Sequence, residues 1–257
     1  MNARQHIEVD LNSDMGEGFG RYRMGDDDAI LNIVTSANIA CGLHAGDPEI
    51  MARTFAMAKE RGVAVGAHPG FPDVWGFGRR VIPFSTGEIE RLIAYQIGAA
   101  DALARYAGHR ITYVKAHGAL GNMTQTDEDV AMAIARAIKS VNSELICMTF
   151  SGAVMERVCR DMGLRVRSEV FADRAYDEEG HLLPRKLPGA VLHDAGQAAA
   201  RMLRMIQAGA IETVSGRMLK VPIDTICVHS DTPGAIDMAA RVRDTLEQAG
   251  ISVKAFS

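Results

Sequence analysis

Four of the chain's eight histidines, His44, His68, His117 and His229, each follow a short apolar run that reads as a β-strand. Acids and one lysine stand at the same kind of position. Asp10, Asn12 and Asp14 close the first run, with Glu17 in the turn beyond. Asp47 follows His44, Lys115 ends the fourth run, and Glu169, Asp173 and Arg174 belong to the sixth. Asp231 follows His229 after the seventh. A single histidine is best read as a hydrogen-bonded loop residue. Four at equivalent ends of different strands predict a convergent site. His6, His109, His181 and His193 follow no strand and read as surface residues.

Asp14, His68 and His117 would make an Asp/His/His set, a common ligand group for zinc or another divalent ion. Such an ion polarises a carbonyl or lowers the pKa of a bound water. The same histidines could instead act as neutral donors or acid/base groups without metal, and spacing across separate strands does not decide between the two. Lys115 ends an otherwise apolar strand, ITYVK. A buried lysine needs a partner. A nearby carboxylate makes it structural, whereas a dry pocket lowers its pKa and makes it an electrophile or base. Asp173-Arg174 either clamps a substrate carboxylate through the guanidinium fork or forms an internal salt bridge. Gly16-Glu17-Gly18-Phe19-Gly20 resembles a phosphate loop only loosely, and no G-x-x-x-x-G-K-[ST] occurs, so a self-contained P-loop ATPase is not expected.

The elements that must hold these residues alternate between two periods. Thr35–Cys41 is strand-like, becomes a Gly-rich turn, and opens a helix capped by Asp47 with Pro48 as its first residue. Similar units follow. Ile7–Asn12, Val63–Ala67, Ile111–Lys115, Leu145–Thr149, Val166–Phe171 and Asp224–Val228 read as the other strands. Ser85-Thr86-Gly87-Glu88 is a capping box, Asp194 starts a helix, and Ser151 reads as the cap of Ala153–Met162. Thr213–Val221 predicts a hairpin and Ala175–Pro188 an irregular charged excursion. Seven strand–helix units predict one closed (β/α) barrel over residues 1–257, with a doubly wound open sheet as the other possibility. In both, the ligand site belongs at the C-terminal ends of the strands.

A length of 257 residues, 47% hydrophobic and 23% charged, suits one such barrel. The net charge of −4 gives no reason to expect nucleic acid. No apolar run is long enough to span a membrane. The polar start MNARQHIEVDLN lacks a signal-peptide apolar region, which predicts a cytoplasmic protein. Cys41, Cys147, Cys159 and Cys227 form no C-x-x-C pair and read as reduced, buried thiols.

DLNSDMGEGFG, TSANIACGLHAGDP, GAHPGFPDVWGFGRR, YQIGA, VKAHGALGN, EVFADRAY and CVHSDTPGA, in this order, resemble the LamB/YcsF family. The resemblance runs from about Ile7 to the C-terminus. It implies a glycoside hydrolase/deacetylase-like (β/α) barrel. It also implies ATP-dependent opening of the lactam 5-oxoproline to glutamate, with separate B and C subunits handling ATP, which accounts for the missing P-loop. On this reading the catalytic candidates are Asp14, His44, Lys115, His117 and Asp231. Asp14 or a histidine is the general base, and Lys115 with His117 stabilises developing negative charge. Asn12, Glu17, Asn38, Glu169, Asp173, Arg174 and His229 are substrate-binding candidates, Arg174 for the free carboxylate. Asp14, His68 and His117 are the candidates for a divalent metal. The other readings are a stand-alone metal-dependent amidase or deacetylase-like hydrolase and a non-catalytic substrate-binding subunit.

The chain departs from the family pattern at four positions. VKPHGALYN is usual where Ala116 and Gly121 stand, CVHGD where Ser230 stands, and Phe where Leu43 stands. Loss of a tyrosine at 121 predicts a larger pocket or a lost hydrogen bond, so that 5-oxoproline is accepted less well or a bulkier lactam is preferred. Gly121→Tyr should then favour 5-oxoproline over larger lactams.

Overall fold

The structure, a computed structural model, describes residues 7–256. His6 therefore lies outside the described residues. The chain runs β1 (Glu8–Met15), α1 (Asp27–Ile30), β2 (Ser36–Ala40), α2 (Pro48–Glu60), β3 (Ala64–His68), α3 (Thr86–Tyr106) and β4 (Ile111–Lys115). It continues with α4 (Gly118–Met123), α5 (Glu128–Val141), β5 (Ile146–Phe150), α6 (Val154–Asp161), β6 (Val166–Phe171) and α7 (Ala195–Ala208). Last come β7 (Ala210–Glu212), β8 (Met218–Lys220), β9 (Thr225–Cys227), α8 (Ala235–Gln248) and β10 (Ser252–Val253).

Strands β1 to β6 and then β9 pair in parallel, and β9 pairs back to β1, which closes a seven-stranded barrel. β10 extends the sheet beside the start of β1, at Glu8↔Ser252 and Val9↔Val253. The hairpin predicted around Ser215-Gly216 is the antiparallel pair β7–β8. The long helices α2, α3, α5 and α7 each have an apolar stripe and a side-chain cap, whereas α8 starts at Gly234 without one. The Ser85–Glu88 capping box closes in both directions, and α3 then buries Ile89, Ile93 and Ile97. Full burial of such a side chain stabilises by about 1.5–3 kcal/mol relative to exposure. Asp47 caps α2 through the Glu49 and Ile50 amides.

Two local expectations change. Ser151 does not cap α6; its hydroxyl bonds the Pro222 carbonyl, and Ala153 starts the helix with no side-chain cap. β1 runs to Met15 rather than stopping at Asn12, so Asp14 lies inside the strand. The alternation of β1 then sends Leu11 and Met15 outward into the helix layer and Asp10, Asn12 and Asp14 into the barrel. These three inward residues are buried. Barrels of this kind ordinarily fill their interior with branched apolar side chains. Here a polar column occupies much of it. Tyr113 fills the space beside it, where Gly66 is obligatory because a Cβ would lie 2.2 Å from the Tyr113 ring.

Candidate active site

The polar column is hydrogen-bonded from end to end. Asp10 accepts from the hydroxyls of Ser36 at 2.6 Å, Thr35 at 2.7 Å and Thr225 at 2.5 Å. Asn12 Nδ2 donates to Thr225 Oγ1 at 2.7 Å. Asn38 Nδ2 donates to Asn12 Oδ1 and Asp14 Oδ1 at 2.7 and 2.8 Å, and Tyr113 OH donates to Asn38 Oδ1 at 2.8 Å. At the top, Lys115 Nζ lies 3.0 Å from Asp14 Oδ1, 2.8 Å from Glu169 Oε1 and 3.2 Å from Cys227 Sγ. Asn12, Asn38 and Glu169, expected to bind substrate, therefore lie beneath the site and hold Asp14 and Lys115.

Lys115 thus has its carboxylates. Burial alone would lower its pKa, but Asp14, Cys227 and Glu169 hold it well above the usual lysine range. It is a fixed ammonium, and the reading of it as a base with lowered pKa is dropped. Burial would likewise raise Asp14, but His68 and Lys115 beside it outweigh that and hold its carboxyl well below the usual range.

The histidines split into two groups. His68, His117 and His44 come together from the ends of β3 and β4 and the turn after β2. His68 Nδ1 bonds the Lys115 carbonyl at 2.8 Å, and His117 Nε2 bonds the Phe77 carbonyl at 2.8 Å. A carbonyl only accepts, so in the neutral rings these two nitrogens carry the protons. The opposite nitrogens, His68 Nε2 and His117 Nδ1, then both present lone pairs, and they face each other at 3.0 Å. Asp14 Oδ1 lies 3.4 Å from His68 Nε2, and Glu17 Oε1 lies 3.7 Å from His117 Nδ1. One ligand atom from each of these four residues falls within 4.8 Å of all the others, a set that could hold a metal ion. His44 stacks flat on His117, ring centres 3.7 Å apart, and neither of its nitrogens has a hydrogen-bond partner among the described residues. Burial, then His117 and His68, hold its pKa well below the usual range. It backs His117 and does not reach the pocket.

His229 stands apart. Its Nδ1 lies 2.9 and 2.8 Å from the two oxygens of Asp173. Burial would raise the Asp173 carboxyl, but His229 outweighs it and lowers the pKa. With Nδ1 donating to Asp173, Nε2 carries a lone pair, 3.9 Å from Asp14 Oδ2. The His229 ring stacks on Phe171 at 5.3 Å. Asp173 therefore orients His229 and pairs with it rather than with Arg174.

These groups meet at a cavity of about 390 Å³, lined by Asp14, His68, Lys115, His117 and His229 and walled by Phe150 and Phe171. It lies at the C-terminal ends of the strands, as expected. A groove of about 530 Å³ between the loop before α1 and α2 is larger but holds none of the strand-end histidines. We take the smaller cavity as the site because the chemistry is there. Arg174 lines it, but its Nε and Nη2 bond the Ala190 and Leu183 carbonyls. These two bonds fasten the excursion after β6. Asp231 is held by Arg79 at 2.7 Å and lines a neighbouring groove instead. Asn122, on α4 just past His117, also lines the cavity. Gln125, Phe150, Phe171 and Arg185 also line it and were not anticipated; only the strand-end positions of the two phenylalanines could have flagged them. Of the histidines read as surface residues, His193 is exposed, and His109 and His181 are half-buried.

Gly121 does not open the pocket. It is buried in α4, where an added Cβ would lie 2.5 Å from the Ala116 carbonyl oxygen. A tyrosine there requires the backbone at Ala116 to move, so Gly121→Tyr is not expected to restore a pocket wall. Ala116 and Gly121 depart from the family pattern together and are in contact.

Comparisons with known proteins agree with the fold. The catalytic domain of peptidoglycan N-acetylglucosamine deacetylase from Eubacterium rectale ATCC 33656 superposes with a TM-score of 0.52 at 12% identity, covering 100% of this chain and 91% of that one. That likeness is to the barrel alone. The lactam utilization protein from Thermus thermophilus superposes with a TM-score of 0.92 at 44% identity, covering 97% and 100%. The 5-oxoprolinase A subunit of Gluconobacter oxydans (strain 621H) is 61% identical over 97% of this chain and 98% of its own length. A sequence profile of the LamB/YcsF family matches residues 9–257, and with likeness of this degree along nearly its whole length the chain belongs to that family.

Proposed function

We propose that this chain is the A subunit of an ATP-dependent 5-oxoprolinase and opens the lactam of 5-oxoproline to give glutamate. The names of the Gluconobacter and Thermus proteins support that substrate class. The observation that carries the reaction type is the paired arrangement of an Asp173-oriented His229 and a fixed Lys115 ammonium on one cavity wall. A lactam carbonyl is a poor electrophile, because amide resonance stabilises it. Its opening needs an activated ring, a deprotonated water and a place for negative charge. ATP, handled with separate B and C subunits, activates the ring. This chain has no phosphate-binding loop of its own and supplies the other two requirements. His229 Nε2 takes the proton from water as the water oxygen bonds the ring carbonyl carbon. It returns a proton to the ring nitrogen as the C–N bond breaks and the activating phosphate leaves, while Asp173 holds the imidazole in the right tautomer. Lys115, charged and immobile, stabilises the developing oxyanion, and because it is already in place no reorganisation is needed during the reaction. Phe150 and Phe171 exclude water from the ring faces. His229 thus moves from binding group to base, ahead of Asp14, whose carboxyl is tied to Lys115 and Asn38.

The Asp14/His68/His117 set fits a divalent cation by donor chemistry. Two imidazole lone pairs converge with an Asp14 oxygen that also accepts from Asn38 and Lys115. When bound, the ion supplies positive charge beside the cavity, which polarises a carbonyl or a water. The chain acts in the cytoplasm on this reading, and the described residues contain no helix long and apolar enough to cross a membrane.

The test is turnover of 5-oxoproline with ATP, with and without co-purified partners. Glutamate is expected only when both ATP and partners are present. Release by this chain alone without ATP would overturn the division of labour. Full turnover by complexes carrying His229→Asn and Lys115→Met would make this a binding subunit instead.

A further inference from the structure

We propose that Glu17 is a fourth protein ligand to the cation assigned to Asp14, His68 and His117, completing a cage of two nitrogens and two oxygens. The proposal rests on the cation reading above. Glu17 sits just past the end of β1, where the chain turns at Gly16 with φ of 66°. That turn sends the glutamate inward, and it is 4% exposed. Its Oε1 is buried without a hydrogen-bond partner among the described residues. It lies 3.7 Å from His117 Nδ1. That nitrogen presents a lone pair, because the Phe77 carbonyl takes the ring's other N–H. A buried carboxylate oxygen with no donor is costly, and a chain that keeps one there needs something to satisfy it.

A proton would satisfy one pair of atoms. Glu17 Oε1 and the two imidazole lone pairs lack a donor, Asp14 Oδ1 beside them accepts from Asn38 and Lys115, and a single cation meets all four. The charges also balance, since two carboxylates and two neutral imidazoles around a divalent ion leave no net charge in a buried place. Mixed imidazole and carboxylate donors in a four-coordinate set suit zinc and its cobalt surrogate. Glu17 does not line the 390 Å³ cavity, whereas Asp14, His68 and His117 do. It therefore binds the ion from behind. Catalytic zinc centres commonly have three protein ligands and an open fourth position. A fourth protein ligand makes this centre a clasp that ties the ends of β1, β3 and β4 together, with water activation left to His229.

The experiment uses the whole chain, stripped of metal by chelation and titrated with Co²⁺ while its visible absorption is recorded. Zinc affinity is measured in parallel by calorimetry. Wild type is expected to bind one ion with the intense visible bands of tetrahedral cobalt. Glu17→Gln should weaken zinc at least about 100-fold, beyond what loss of an outer partner costs, and should shift and weaken the cobalt bands. Glu17→Asp keeps the charge but draws it back by one methylene, and it should weaken binding about tenfold. If Glu17→Gln does not fold, Glu17→Asp carries the test. Wild-type affinity and spectrum in the folded variant would overturn the role of Glu17 and leave the three-residue site standing. No stoichiometric binding by wild type would overturn both.

Discussion

Asp10 and Asp14 lie on the same strand, point into the same barrel, and are 1% and 4% exposed. Their acidities nevertheless move in opposite directions. Burial pushes the Asp10 carboxyl up to about 6, and the hydrogen bonds from Ser36, Thr225 and Thr35 only partly offset it. Asp14 is equally dry, but His68 and Lys115 bring it well below the ordinary value. The Asp10 end of the barrel is built from hydroxyls, whereas the Asp14 end carries the Lys115 ammonium. Neutral dipoles, even several at short distance, do not replace a countercharge once water is gone. One end can therefore keep a neutral acid as a structural hub, while the other keeps its carboxylate ionised at any working pH.

That contrast can be broken at its strongest point. Asp14→Asn keeps the Asn38 contact possible but removes the charge that Lys115 and the histidine cluster face. Turnover by the assembled complex should fall at least about 1000-fold, the scale of losing a central electrostatic group. A loss under tenfold would mean that Asp14 is scaffolding. Lys115→Met leaves Asp14 and Glu169 buried together without their ammonium. Removing one partner of a buried ion pair costs about 3–5 kcal/mol, to be read as a shift in urea midpoint at pH 7. A cost below about 1 kcal/mol would show that water reaches the pair.

The Asp10 end responds to pH instead. Its folded pKa of about 6 lies above the ordinary 3.8, so between those values the unfolded chain releases the proton while the folded chain holds it. This group's contribution to stability is full below 3.8 and is lost as pH rises to about 6. A pKa difference of that size corresponds to about 3 kcal/mol. The stability difference between wild type and Asp10→Asn, measured from about pH 3.5 to 7, should change by about that much in wild type's disfavour. A flat difference would place Asp10 with ordinary carboxylates. The smallest effect belongs to Thr225→Val. It removes a donor from Asp10 and an acceptor from Asn12, at about 1–3 kcal/mol for unmet buried partners. It should also move the Asp10 transition to higher pH. An unmoved transition would deny that this hydroxyl tunes the acid.

The barrel was legible in the sequence because each strand–helix unit carries its own signal: a period-two run, a cap and a 3.6-residue stripe. The end of the barrel that holds the histidines followed from the same units. Of the histidines, the Asp14/His68/His117 set was read and does converge, whereas His44 stacking on it and His229 facing Asp173 were not legible. His44, His68 and His117 cluster while His229 faces Asp173, because strand neighbours are fixed by sheet order and closure, which no local pattern encodes. Arg174 reads as an anion clamp from its type alone. It ends on the Leu183 and Ala190 carbonyls because the irregular excursion folds back over it. Glu17 reads as part of a glycine turn, and only the positive φ of Gly16 reveals that the turn points inward. The family pattern at Gly121 predicted a missing pocket wall. The backbone of Ala116 already occupies that space.

The closure of the barrel by β1 and β9 also bears on how the molecule forms. Asp10 and Thr225 bond across a separation of 215 residues. During synthesis β1 therefore emerges long before the strand that completes its pairing. Until then its Asp10 edge is an open template with unpaired backbone groups and half-buried acids. Contacts of such range make folding slow and leave early species prone to association. Lys115 can meet Asp14 before β9 exists, but Cys227 and His229 cannot be in place. The ring's last strand and His229 thus arrive together, and a chain that stalls before Thr225 has most of a barrel but not this side chain of the cavity.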